Sequence, residues 1–338
     1  MPNIQLQYEV SQSLTSIPFT NINQQYLYLN YFEPLVFSLI GGGTFKGYLL
    51  FNLLISILFL TLLFSKFLSI HEKAILKYPF KVIVLALFPV TMIPFYWIGM
   101  DGMTLLLMLL IMVFFESKWG YLISFLLAWQ HFEQGLVSLL LLGGSVFIYW
   151  LFNREELIWS HFKQVLLLII FLLLGKLFLI SWFYFMDISL VGGRTDYFEN
   201  NIMQFLSEWK RNWLFILYSL IGVGWLIVVK FYKETWPVIL TAVITLFFTA
   251  IVGDQTRVGV IVMFPSLMYW VFMNKSLLLC LSNKFVMFTI ILYASLPVVI
   301  IWGSLQSSVF DFDIGLLIDF FNNPSYINFH PLAPFEKN

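Results

Sequence analysis

Charge is what this chain has least of. Only 11% of its 338 residues are Asp, Glu, Lys or Arg, where a soluble protein carries roughly 25%. That shortage excludes water as the solvent for most of the surface. Cys280 is the only cysteine, which rules out an internal disulfide and a cysteine metal cluster. His71, His131, His161 and His330 are scattered without metal-ligand spacing, and no dinucleotide or phosphate-loop glycine pattern occurs. No ligand set specifies a metal; a divalent cation stays open as a cofactor. The net charge is zero, so nothing in the composition points to nucleic acid.

What remains is oil. Hydrophobic residues make up 60% of the chain, 38 of them Phe, and mean hydropathy is +0.89. The apolar runs are continuous rather than alternating, so the expectation is an all-α, polytopic transmembrane helical bundle. About ten spans are read, near 47–68, 82–99, 102–115, 119–131, 135–152, 164–186, 213–229, 236–253, 258–273 and 285–303. The third and fourth are short for a full crossing. Residues 1–46 form an N-terminal segment, 47–303 the membrane domain with an outer loop at 187–212, and 304–338 a C-terminal tail.

Most basic residues fall on one set of short loops, from Lys66 and Lys73 through Lys118, Arg154 and Lys163 to Lys284. By the positive-inside rule that side is cytoplasmic, and both termini are extracytoplasmic. Most acids fall on the other side. The first basic residue is Lys46, so no charged signal region precedes the first span. Either a reversed first helix is held by the lysines after it, or a natural upstream helix is missing from this start.

Five polar clusters reach the acid-rich edge. Glu9 and Glu33 lie in the tail, where an inert role is expected. Asp101 sits in WIGMDGM. Gln130, His131, Glu133 and Gln134 interrupt AWQHFEQGL, with Gln130 sharing one helical face with Glu133 and Gln134. Arg194 and Asp196 follow paired glycines and open a helix whose apolar stripe (Phe198, Ile202, Phe205, Leu206, Trp209, Trp213) suits the membrane surface. Asp254 and Arg257, in IVGDQTRVGV, are spaced to pair on one helical turn. Each also has a plainer reading as anchor, wet turn or self-neutralising pair. Lys176, deep in FLLLGKLFLI, either faces a cavity, meets an acid from another span, or marks a misdrawn span.

Jointly the clusters describe an outward-facing polar cavity fed from lipid. It suits a polyprenyl-phosphate-linked sugar, whose transfer needs a carboxylate base and a cation for the departing phosphate. The segments DGMTLLLMLLIMVF and AWQHFEQGLVSLLLL, with DQTRV followed by Pro265, resemble membrane glycosyltransferases of the GT-C type and polymerases of bacterial surface-polysaccharide (O-antigen or capsule) loci. The resemblance implies a multi-pass inner-membrane enzyme with an acidic base in the first outer loop. Asp101 or Glu9 would be that base, although the family's first helix is absent here. Arg257 and Arg194 would hold phosphate, with Asp254 orienting Arg257. His131, Glu133, Gln130 and Asp196 would bind sugar or support the base. Two other classes stand beside this one: a transporter or flippase for a lipid-linked or small anionic substrate, and an incomplete, non-catalytic family member.

Overall fold

The computed structural model describes residues 4–18, 25, 28–96, 99–188, 194–274, 277–295, 300–302 and 304–306. It is helical apart from a three-residue antiparallel ladder pairing Ile300–Trp302 with Ser304–Gln306. Among the described residues, five helices are long and apolar enough to cross a membrane: Phe45–Ile70, Lys118–Asn153, Glu156–Phe185, Asn201–Lys230 and Gln255–Met273. By that measure the chain is a membrane protein.

In chain order, two short helices, α1 (Ile4–Gln12) and α2 (Phe32–Leu39), precede α3 (Phe45–Ile70). Thr44 starts α3 by accepting from the Gly47 N–H at 3.1 Å, which satisfies one of the unpaired donors of the first turn. After α4 (Glu72–Lys77) comes an apolar stretch that the sequence suggests is a single α-helical span over 82–99. It is instead two 3₁₀ segments, Pro79–Leu87 and Pro89–Thr91, and a single turn, α5 (Ile93–Tyr96). Pro89 and Pro94 each lack an amide donor and crowd the preceding turn, so an unbroken α-helix cannot run through.

The helix α6 (Met100–Val113) leads into α7 (Lys118–Asn153), where the sequence suggests two spans separated at 132–134. The backbone leaves helical geometry at one residue only, His131 (φ −162°, ψ 81°). There the chain folds back. Along α8 (Glu156–Phe185), the 118–130 arm ascends, with Tyr121 on Gln164, Ser124 on the Leu168 carbonyl and Trp129 on the Gly175 carbonyl. The 132–153 arm descends, Phe147 meeting Phe162 and Trp150 meeting Trp159. In a straight helix Tyr121 and Trp150 would stand ~43 Å apart; here their partners on α8 are one and a half turns apart. With the elbow at His131, Gln130 and Gln134 no longer share a helical face, which corrects the spacing argument made from sequence.

Next comes α9 (Arg194–Ile221), followed by α10 (Trp225–Lys230), α11 (Tyr232–Thr249) and α12 (Gln255–Met273), then α13 (Leu277–Cys280) and α14 (Asn283–Ser295). The separate surface helix expected near 194–212 is continuous with the apolar helix that follows it. Phe205 of its stripe is buried beside Gly253, and the Trp209 indole donates to the Leu246 carbonyl at 2.8 Å. The stripe faces protein at those positions because α11 and the start of α12 lie there. The last expected span, 285–303, ends as a helix at Ser295.

Helix α12 is the axis. In its most apolar window 83% of residues are buried, against 28% in α8. Along α8 the buried positions are Ile158, His161, Val165, Leu168, Leu172, Gly175, Leu179 and Phe183. They follow the three- and four-residue steps of one helix face, while Leu166, Ile170, Leu173 and Leu177 stay exposed. This is a helix with protein on one side and, for a membrane chain, lipid on the other. It runs ten residues beyond Gly175, ~15 Å past the elbow. The N-terminal segment fills that step: Tyr28 and Tyr31 pack on Phe183, and the Tyr31 N–H donates to the Trp129 carbonyl at 2.7 Å.

Candidate functional site

Two helices begin side by side at one end of the bundle, and their first turns carry opposite charges. Asp101 lies in the first turn of α6, where a carboxylate complements the helix dipole. Arg257 lies in the first turn of α12, and Asp254 immediately precedes that helix. The Arg257 Nη1 donates to Asp101 Oδ2 at 2.8 Å, across 156 positions of sequence. Its Nε stands 2.6 Å from Asp254 Oδ2. The local pair read from sequence is therefore present, with a third member from a distant helix.

The centre is sunk in the protein: Asp101 is 1% exposed and Arg257 7%. Charges at such a depth persist only when paired, because desolvation costs several kcal/mol per ion. Each carboxylate has one oxygen anchored and one buried without a partner: among the described residues, neither Asp101 Oδ1 nor Asp254 Oδ1 has a hydrogen-bond partner. Two acids against one guanidinium leave the cluster without net positive charge when both are ionised.

A second polar network adjoins the first. Glu33, in the first turn of α2, is 1% exposed. Its Oε1 accepts from the Tyr48 hydroxyl at 2.7 Å, and its Oε2 from Gln130 Nε2 at 3.3 Å. The Glu33 N–H in turn donates to Gln130 Oε1 at 3.0 Å. Gln130 Nε2 also donates to the Met100 carbonyl at 3.2 Å, one residue before Asp101. Burial pushes the Glu33 carboxyl up to about 7, a rise that the nearby Asp101 charge reinforces and donors from Tyr48, Asn52 and Gln130 oppose. Glu33 is thus buried and bonded to two helices rather than lying loose on a tail. The available signal was a lone acid heading the short apolar helix FEPLVFSL.

The remaining candidates fall in three places. His131 and Glu133 face one another at the elbow, Nδ1 to Oε2 3.7 Å; His131 is buried and the Glu133 side chain is 43% exposed. Lys176 is half-buried, with its ammonium 5.1 Å from the Phe132 ring centre just past the elbow, a cation–π arrangement that sequence reading did not offer. Glu9 accepts from Gln5 at 3.2 Å within its own helix. The side chains of Arg194 and Asp196 lie outside the described residues.

At the opposite end, His161 is held between Tyr269 (Nδ1 to hydroxyl, 2.6 Å) and Glu116 (Nε2 to Oε1, 3.2 Å). Nearby Lys81, also buried, donates to the carbonyls of Leu278 and Leu281 at 2.8 and 2.6 Å. These bonds tie α12 to α8 and close the end of α13. Among the described residues no group of three or more His, Cys, Asp or Glu is arranged to hold a metal ion. No protein-family model, curated protein or solved structure matches the chain.

Proposed function

We propose that this chain is a membrane glycosyltransferase or repeat-unit polymerase acting on a polyprenyl-phosphate-linked sugar. It would work at the outer face of the bacterial inner membrane, in surface-polysaccharide synthesis. The observation that carries the reading is the Asp101 carboxylate, with Oδ2 fixed on Arg257 and Oδ1 buried without a partner among the described residues. That is the arrangement a general base needs: direction from one oxygen, a free lone pair on the other. As the acceptor hydroxyl attacks the anomeric carbon, Asp101 takes its proton. The bond from that carbon to the phosphate oxygen breaks, and the polyprenyl phosphate or diphosphate leaves with the electron pair.

The geometry redistributes the other roles. Arg257, bracketed by two acids, serves as their brace, and phosphate binding passes to Arg194. Gln130 has both ends committed to protein bonds and becomes support. Glu133, His131 and Asp196 remain candidates for sugar hydroxyls, Asp254 for a second hydroxyl acceptor. The reversal at His131 supports counting α7 as two crossings, which, with 79–96 and α14, is consistent with a reading of about ten. Lys118, Arg154 and Lys163 flank the His161 end, which by the positive-inside rule supports a cytoplasmic assignment of that end.

The test is product formation by purified protein given a polyprenyl-linked sugar and acceptor. Asp101→Asn keeps the side chain's shape and removes the base, so turnover falls by ~100-fold or more. Full activity in Asp101→Asn would move the base to Glu9. A wild type that moves labelled lipid across vesicles yet forms no product would assign the centre to transport.

A further inference from the structure

Besides the Arg257 bond to Asp101, the start of α6 is held from three directions. Gly102 presses on α3 so closely that a Cβ there would stand 2.7 Å from Ser56 Oγ. The Asn30 amide donates to Met100 Sδ at 3.3 Å. Gln130 Nε2 donates to the Met100 carbonyl. Only the last of these passes through a charged group, because the same amide nitrogen also donates to Glu33 Oε2.

We propose that Glu33 is a positioning residue for Asp101, acting through Gln130 and the Met100 carbonyl; this rests on the reading of Asp101 as the base. The bonding pattern leaves Gln130 one orientation. Its Oε1 must face the Glu33 N–H, so its Nε2 must face the Glu33 carboxylate and Met100. A flipped amide would set oxygen against oxygen at Glu33. The Glu33 N–H and carboxylate together therefore fix which atom of Gln130 reaches the residue before Asp101. Tyr48, from the first turn of α3, secures the other carboxylate oxygen, so three segments distant in sequence converge on one side chain. A base displaced by ~1 Å loses on the order of 100-fold in rate, and the first turn of α6 is where such a displacement would arise.

Glu33→Gln turns an amide against the Gln130 amide; the double variant E33Q/Q130E restores an amide–carboxylate pair but points an oxygen at the Met100 carbonyl. If the network merely pins the N-terminal segment, the swap recovers both thermal stability in detergent and turnover. If Glu33 positions Asp101, E33Q lowers both, and the swap recovers stability while turnover stays ~10- to 100-fold down. Recovery of both by the swap, or wild-type turnover in E33Q, overturns the proposal. A readout without substrate separates this from failure of the glycosyl-transfer reading. The infrared carboxyl band of Asp101, assigned as the band missing in D101N, shifts in E33Q and in the swap. A band unmoved in both rejects the positioning role whatever reaction the protein performs.

Discussion

At Arg257 a single guanidinium contacts two carboxylates that reach it from different directions, one from its own helical turn and one from α6. Lysine carries the same charge but concentrates it at one point, and cannot repeat two separated, directed contacts. Arg257→Lys is expected to insert yet to melt lower and to lose most activity. Arg257→Met, which strands two buried acids, should cost ~3–5 kcal/mol and yield little folded protein; size-exclusion profiles and melting curves in detergent check both. Glu33 makes a pH-dependent contribution of definite sign. Its folded carboxyl titrates near about 7, above the ordinary value of 4.5, so the folded state binds the proton more tightly than the unfolded state. The stability this lends is fully present below pH 4.5 and is lost as pH rises through about 7. Melting temperatures of the wild type should fall relative to Glu33→Gln across that window, and parallel curves would contradict the assignment. The Asp254–Arg257 pair was legible because three-residue spacing is a local property. Asp101–Arg257 and Glu33–Gln130 were not, since nothing in one sequence says which distant turns become neighbours.

At several glycines a neighbouring helix leaves no room for a side chain, and the kind of neighbour decides what a methyl group would cost. At Gly102 the neighbour is the Ser56 hydroxyl, the end of a side chain; at Gly175 it is the backbone carbonyl of Phe125. Gly102→Ala should destabilise by ~1–3 kcal/mol and be relieved by adding Ser56→Ala. Gly175→Ala has no such partner to trim, and the same screen of second substitutions in α7 should fail to restore its melting temperature. The sequence made helices legible wherever apolar residues ran unbroken, as in α3 and α8. It misjudged 82–99, where Pro89 and Pro94 outweigh hydropathy, and the elbow, where Gln130, His131, Glu133 and Gln134 looked like a break between spans though one non-helical residue suffices. The stripe through Phe205 and Trp209 was read correctly as one face, but periodicity cannot distinguish lipid from α11 as what that face meets.

Across the whole molecule the two polar centres mark opposite ends of α12, Arg257 in its first turn and Tyr269 near its last. In a Cys280→Ser background, a membrane-impermeant thiol reagent added to intact cells should label a cysteine at Asp187 and spare one at Glu116 until the cells are opened. Labelling in the reverse order would turn the protein over and place the Asp101 centre in the cytoplasm. That the chain is a helical membrane protein followed from composition alone, since 11% charge leaves few alternatives. The meeting of α6, α7, α12 and the N-terminal segment did not, because it depends on the reversal at 114–117 returning Gln130 to Met100.

The elbow at His131 stops ~15 Å short of the end of its supporting helix. On the membrane reading, the N-terminal segment fills the step and Gln130 and His131 stay buried, but the half-exposed Glu133 side chain stands well below the headgroup level of a hydrocarbon layer ~30 Å deep. Lipid tails cannot solvate that carboxylate, so the leaflet must thin or admit water there. A polar headgroup arriving from the side would then descend toward Glu133 rather than climb out of the membrane, its chain never leaving the oil.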